Sequence, residues 1–159
     1  MNDLVLREGG DVDVTTIVSI IHLAFQEYDG RLDPPSGAHR ETPEKILDRL
    51  ATDRPVLALL GERAIGCVFY RAEQDHMYFG RLAVLPPYRG RGIGDALIAY
   101  VEARARDFGL PCVRLGVRVV LPNLRARYER LGYRLLEERR HKGYSQTTYL
   151  IMEKVLVNR

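Results

Sequence analysis

Arg89-Gly90-Arg91-Gly92-Ile93-Gly94 follows the apolar run Leu82-Ala83-Val84-Leu85-Pro86 and leads into a helical pattern beginning at Asp95. Residues of these types at this spacing can bind an anion. Glycines at alternate positions remove Cβ atoms, so main-chain N–H groups approach a ligand closely. The helix that follows aims its unpaired amides and the positive end of its dipole at the same place. Arg89 and Arg91 add permanent charge and forked donors of the kind a diphosphate requires. Spacing speaks against two well-known phosphate loops. A P-loop needs Lys-Ser or Lys-Thr after its last glycine, and here Asp95-Ala96 follows Gly94. A dinucleotide fingerprint, Gly-x-Gly-x-x-Gly, would place a glycine where Asp95 stands. The plain alternative is an arginine-rich surface turn that uses glycine for bending.

A second segment carries chemistry of another kind. After an expected strand from Cys112 to Val119 come Asn123, Tyr128 and then Leu131-Gly132-Tyr133. Asn123 is a good helix N-cap and Gly132 a good residue to follow a helix, so local structure alone accounts for those two. A lone helical tyrosine such as Tyr128 is ordinarily a packing residue, but its phenol is also a competent general acid.

Taken together and in this order, Arg-x-x-Gly-x-Gly after a strand and Asn-x-x-x-x-Tyr-x-x-x-Gly-Tyr after the next resemble the GNAT superfamily of acetyl-CoA-dependent N-acetyltransferases. The resemblance covers about Val56 to Val155. It implies that Arg89, Gly90, Arg91, Gly92, Ile93 and Gly94 hold the pyrophosphate of acetyl-CoA, the acyl-donor co-substrate. It further implies that the backbone of Leu82, Ala83 and Val84 meets the pantetheine arm, that Asn123 hydrogen-bonds the arm, and that Tyr128 protonates the departing thiolate. The fold implied is α/β: a mixed, mostly antiparallel central sheet of about six to seven strands, helices on both faces, and a splayed parallel pair at the cofactor site.

These residues need positioning elements, and the pattern supplies them. A strand at Leu4–Arg7, a break at Gly9-Gly10 and a helix from Val14 to Phe25 open the chain, with Val14, Ile17, Val18, Ile21 and Phe25 recurring on one face. His22 beside that stripe reads as a satisfied histidine rather than a ligand. Gln26 to Glu41 is a polar, Pro- and Gly-punctuated loop, placed by the resemblance where the acceptor enters. Thr42-Pro43-Glu44 caps a short helix through Ile46, Leu47 and Leu50. Strands at Val56–Leu60, Ala64–Arg71 and Met77–Val84 read as an antiparallel meander. The helix after the glycines runs to Phe108, with Ile93, Leu97, Val101, Ala105 and Phe108 inward and Glu102, Arg104 and Arg106 outward. Strands near Tyr133–Glu137 and Thr147–Val155 close the chain.

Composition narrows the function. A chain of 159 residues is most simply one domain, residues 1–159, and 46% hydrophobic content is ordinary for a globular protein. No apolar run approaches a membrane span, and no leader pattern precedes the first strand, so a cytoplasmic protein is expected. Cys67 and Cys112 fall inside expected strands and read as buried free thiols, with no metal site. The net charge of +3 arises from 24 basic and 21 acidic residues, with arginines concentrated in the second half. Without interleaved exposed aromatics this is not a nucleic-acid footprint.

The expected reaction is direct transfer of acetyl to a primary amine of a small-molecule or peptide acceptor. Many members of the resembling family carry a glutamate on the strand before the glycine loop, whereas Met77-Tyr78-Phe79-Gly80-Arg81 holds no carboxylate. Glu27 is the first choice of base, ahead of Glu73 and His76, because it directly follows a buried helix and opens the entrance loop. Arg31, His39 and Arg40, with His141 and Lys142, read by default as a solvated loop, the alternative being that they favour an acceptor bearing a carboxylate or phosphate. A non-catalytic acyl-CoA-binding sensor is the alternative class, and a homodimer is compatible with the resemblance.

Overall fold

The computed structural model describes residues 3–156. Among these residues, seven strands, β1 (Leu4–Glu8), β2 (Arg54–Leu60), β3 (Arg63–Ala72), β4 (Met77–Val84), β5 (Cys112–Arg118), β6 (Arg134–Arg139) and β7 (Tyr149–Val155), accompany four α-helices. The helices are α1 (Val14–Phe25), α2 (Pro43–Arg49), α3 (Ile93–Asp107) and α4 (Pro122–Arg130). The hydrogen-bonded strand order is β1-β2-β3-β4-β5-β7-β6, mostly antiparallel with β4 and β5 parallel. The chain divides into two compact units, Met1–Arg71 with Phe79–Val101, and Ala72–Tyr78 with Glu102–Arg159.

In the first unit, continuous buried runs of β2 and β3 and the 3.6-residue stripe of α1 supply the interior. Ile17, Ile21, Leu57, Ile65 and Leu97 are wholly inaccessible to solvent. Burying each such side chain stabilises by about 2 kcal/mol. The bounds of α1 are those read from the sequence, and Val14 and Phe25 flank rather than fill its buried face. Thr42 accepts a hydrogen bond from the Lys45 amide at 3.2 Å and Pro43 occupies the first turn, so α2 begins as its sequence dictates. Leu47 is 50% exposed because this short helix presents only Ile46 fully to the interior. Gly66 lies mid-strand for a steric reason: a Cβ there would sit 2.9 Å from the Ala83 carbonyl oxygen.

In the second unit, β5, β7 and β6 form an antiparallel set, with Leu115 opposite Met152 and Met152 opposite Leu135. Glu102, expected to face water, is instead only 8% exposed. Its carboxylate accepts from the Tyr133 hydroxyl at 2.8 Å and from Lys154 Nζ at 3.2 Å, and these remote partners offset the cost of its burial. Removing the carboxylate with Glu102→Ala leaves Lys154 and Tyr133 without their acceptor. Stability should fall by about 3 kcal/mol, read as a lower denaturant midpoint at unchanged slope. An unchanged midpoint would contradict the network. Phe108, expected inward, is 42% exposed, with the Arg104 guanidinium 5.1 Å over its ring.

Both cysteines are free and buried. Burial pushes the Cys67 thiol up to about 12, and burial followed by the Glu153 carboxylate pushes Cys112 up to about 11. The thiolate is the reactive form, so the folded protein at pH 8 should take up maleimide far more slowly than the same chain in guanidinium. Equal labelling rates would contradict both assignments.

Candidate active site

In the first unit, β4 ends at Val84 and the chain passes through a 3₁₀ turn at Pro86–Tyr88 before the glycines. The turn is closed by the Tyr88 amide on the Leu85 carbonyl at 2.9 Å and the Arg89 amide on the Pro86 carbonyl at 3.2 Å. Gly90 and Gly92 then adopt φ of 78° and 79°, left-handed values that a side chain would resist. A Cβ at either would meet no protein atom within 4 Å, so this stretch of backbone borders open space. The Ala96 amide bonds to the Gly92 carbonyl at 3.0 Å, and the Ile93 and Gly94 amides precede it with no acceptor inside the helix. These amides, the N-terminal end of α3 and the Arg91 guanidinium make a loop suited to an anion. Arg91 lies 5.3 Å over the Tyr88 ring, and Arg63 approaches the same ring at 5.6 Å. Neither arginine has a carboxylate partner among the described residues. A diphosphate such as that of coenzyme A therefore fits the residues present.

Arg89 has an internal use that its motif does not reveal. Its Nε donates to the Val84 carbonyl at 3.2 Å and its Nη2 to the Ala24 carbonyl at 2.8 Å, while Nη1 is bonded to the Glu27 carboxylate. The guanidinium thus fastens the glycine loop to the C-terminal end of α1. Glu27, chosen from the sequence as a base, is the anchor of the proposed phosphate arginine. Arg31 in turn donates to the Glu27 carbonyl at 3.1 Å.

Further back on β4, Arg81 has φ of +54°, the one non-glycine residue with positive φ among the described residues. Such a conformation costs roughly 1–3 kcal/mol and persists only where the surroundings enforce it. The Arg81 side chain is held by Glu41, whose own side chain is 3% exposed. It accepts from Arg81 Nε at 2.7 Å and from Arg49 Nη2 at 3.0 Å, while its own carbonyl meets His22 Nε2 at 2.9 Å. His22 is therefore a satisfied histidine, and the entrance loop is tied at its end to the strand beside the glycines. Leu32, Ser36 and Ala38 are also buried, so the loop is packed and not merely solvated.

In the second unit, parallel pairing of β4 with β5 consists of Met77 opposite Val113 and Tyr78 opposite Arg114. The Tyr78 hydroxyl comes within 3.2 Å of where a Cβ on Gly116 would be. In α4, Pro122 takes the first position and Leu121 the cap, so Asn123 is a first-turn residue rather than the N-cap expected. Proline at that position already has the helical φ, which moves the start one residue ahead. Asn123 is exposed, and its side chain makes no hydrogen bond among the described residues. Tyr128 is 6% exposed, its ring edge-on to Tyr133 at 6.2 Å. The helix ends as its glycine suggests: the Tyr133 amide returns to the Tyr128 carbonyl at 3.0 Å and the Gly132 amide to the Glu129 carbonyl at 3.1 Å. Burial, and after it the Glu102 charge, raises the Tyr133 phenol well above the ordinary tyrosine value.

Several arginines of the second half are paired. Arg114 bonds Glu153 at 2.8 Å, Arg139 bonds Glu137 at 2.7 Å and Arg125 approaches Glu129 at 3.5 Å, which absorbs much of the local excess. Sequence reasoning missed Glu41 and Arg81, because a glutamate in a polar loop and an arginine on a strand read as solvated. Among the described residues no cluster of potential ligands could hold a metal, and no helix is long and apolar enough to cross a membrane.

Comparison with known proteins bears on this arrangement. The sequence model described as the acetyltransferase (GNAT) family matches residues 18–133, a stretch that runs through both units. An acetyltransferase of Sodalis glossinidius is 34% identical over 98 residues, covering 58% of this chain and 68% of that protein. One of Pectobacterium atrosepticum is 32% identical over 100 residues, covering 60% and 70%. Among solved structures, PaiA N-acetyltransferase of Thermoplasma acidophilum in complex with coenzyme A aligns over 96% of this chain and 99% of its own, with TM-score 0.81 and 18% identity. A GNAT family acetyltransferase of Elizabethkingia anophelis with acetyl-CoA bound covers 98% and 100%, with TM-score 0.70 and 16% identity. The ribosomal-protein-S18-alanine N-acetyltransferase of Escherichia coli covers 98% and 96%, with TM-score 0.78 and 16% identity. At these identities the structural likeness is one of fold.

Proposed function

Because the chain belongs to the GNAT family of acetyltransferases, we propose that it moves an acetyl group from acetyl-CoA directly to a primary amine. The observation that carries this is the loop from Arg89 to Gly94, whose left-handed glycines and helix-start amides suit a diphosphate. When bound, acetyl-CoA supplies an activated thioester. The amides of Gly92, Ile93 and Gly94 and the Arg91 guanidinium hold its phosphates, with Arg89 bracing the loop through its pair with Glu27. The backbone of Leu82, Ala83 and Val84 lies along the pantetheine arm, and the Asn123 side chain donates to one of the arm's amide carbonyls.

Catalysis in this mechanism is mostly positioning, which makes amine and thioester effectively intramolecular. A backbone N–H in the Leu82–Val84 stretch donates to the thioester oxygen as charge develops there, a contact worth about 3–4 kcal/mol. Tyr128 gives its phenolic proton to the leaving sulfur and recovers one from the nitrogen, which sheds its second proton as the amide forms. An alkyl ammonium must first lose its own proton, and a water chain carries it out past Glu27. The Glu27 side chain is 43% exposed and Arg89 fixes its carboxylate, so it serves as an oriented acceptor for such a chain. Two buried free thiols suit a reducing compartment, and the cytoplasm is the place proposed.

Mass spectrometry tests the activity. Incubated with acetyl-CoA and pooled amines, the enzyme should release free thiol and yield an acetylated product. Coenzyme A binding with no thiol release from any amine would reject the transfer and leave a sensor.

A further inference from the structure

A chain of alternating charge runs through the first unit: Arg71 approaches Asp53 at 3.6 Å, Asp53 approaches Arg49 at 4.0 Å, Arg49 bonds Glu41 at 3.0 Å, and Glu41 bonds Arg81 at 2.7 Å. It ends on cation. Arg81 spends Nε on Glu41 and makes no hydrogen bond from Nη1 or Nη2 among the described residues. Its Nη2 instead lies 2.8 Å from where a Cβ on Gly37 would stand, and Arg40 Nη2 lies 3.9 Å from that same point. Two guanidinium tips therefore converge beside Gly37. Arg40 has no ion-pair or hydrogen-bond partner among the described residues. On the same 3₁₀ turn, His39 Nε2 is buried and makes no hydrogen bond within the protein.

Like charges brought together repel, and a buried nitrogen without a partner is costly. Neither arrangement is what packing alone would select. The repulsion between the two guanidinium groups is offset when an oxyanion sits between the forks, which present parallel donors to a carboxylate or phosphate. The position is informative as well, because Arg81 immediately precedes Leu82–Val84 and Gly37 lies in the 26–41 loop. We infer that the acceptor carries a compact oxyanion beside its amine, held by Arg81 and Arg40 at Gly37, so that the amine is presented to the strand that follows Arg81. The inference rests on the acetyl transfer proposed above and names the class of its acceptor. Arg31, which shares the loop, is directed elsewhere by its bond to the Glu27 carbonyl and has no part in the site.

Product-like ligands provide the test, because binding can be read without turnover. With coenzyme A saturating, calorimetry would compare N-acetyl amino acids with their methyl esters, and N-acetyl aminoalkyl phosphates with the corresponding alcohols. At least one acid should bind about tenfold or more tightly than its neutral partner, and the series that does so identifies carboxylate or phosphate. Arg40→Ala and Arg81→Lys should each erase that preference while leaving coenzyme A affinity unchanged, and Arg31→Ala should preserve it. Arg40 is exposed and unpartnered, so its variant tests the site even if Arg81→Lys fails to fold. Equal binding of acids and neutral partners, or no binding by any acid up to millimolar concentration, would overturn the inference. Failure of coenzyme A itself to bind would instead overturn the proposed function, and the same titration distinguishes the two.

Discussion

Tyr128→Phe should leave coenzyme A affinity within about twofold of the parent and lower kcat about 100-fold or more. Tyr128 is 6% exposed and packs edge-on against Tyr133, and phenylalanine keeps that ring in place. The helix end is held by main-chain bonds from Gly132 and Tyr133, which the substitution does not touch. What disappears is the phenolic proton. Without it the thiolate must leave unprotonated, and the loss falls on the chemical step rather than on binding. Stopped-flow thiol release paired with calorimetry separates the two quantities. An unchanged kcat would remove Tyr128 from the mechanism, whereas equal losses in kcat and affinity would make it a packing residue.

Gly92→Val should abolish coenzyme A binding, with a loss of about 100-fold or more, in a protein that still folds. Valine at φ of 79° is strained, and relief of that strain turns the following amides away from their common focus. The new Cβ meets no protein atom within 4 Å, so the fold itself loses only the backbone term, about 1–3 kcal/mol. Gly61→Val is the matched control. Gly61 also has positive φ, at 59°, and its Cβ direction is equally open, but it belongs to the turn between β2 and β3. Comparable destabilisation with coenzyme A affinity retained is expected there. Retained affinity in Gly92→Val would reduce the glycine loop to a turn.

What the sequence disclosed is what short-range physics writes. α1 and β4 begin and end where periodicity and, for α1, the break at Gly9-Gly10 place them. The loop from Arg89 to Gly94 was readable for the same reason, since its function lies in backbone shape and its shape lies in glycine. Interactions between remote residues were not readable. Glu102 appears on the polar side of α3, and nothing nearby announces that Tyr133 and Lys154, separated from it by 31 and 52 positions, bring it inside. Arg89 and Glu27 stand 62 positions apart, so two residues with separate assigned roles prove to be bonded partners. The ion pair of Arg81 with Glu41 likewise joins residues 40 positions apart. Asn123 differs, because Pro122 was a local signal for a helix start one residue earlier and the asparagine side chain outweighed it in the sequence reading.

The central claim is that a diphosphate rests on the amides at the start of α3. A crystal structure of the protein grown with saturating coenzyme A tests it most directly. Density for the two phosphates within hydrogen-bond distance of the Gly92, Ile93 or Gly94 amides is the result expected. Density for the phosphates elsewhere, with the Arg89–Gly94 loop bare at saturation, would contradict the account.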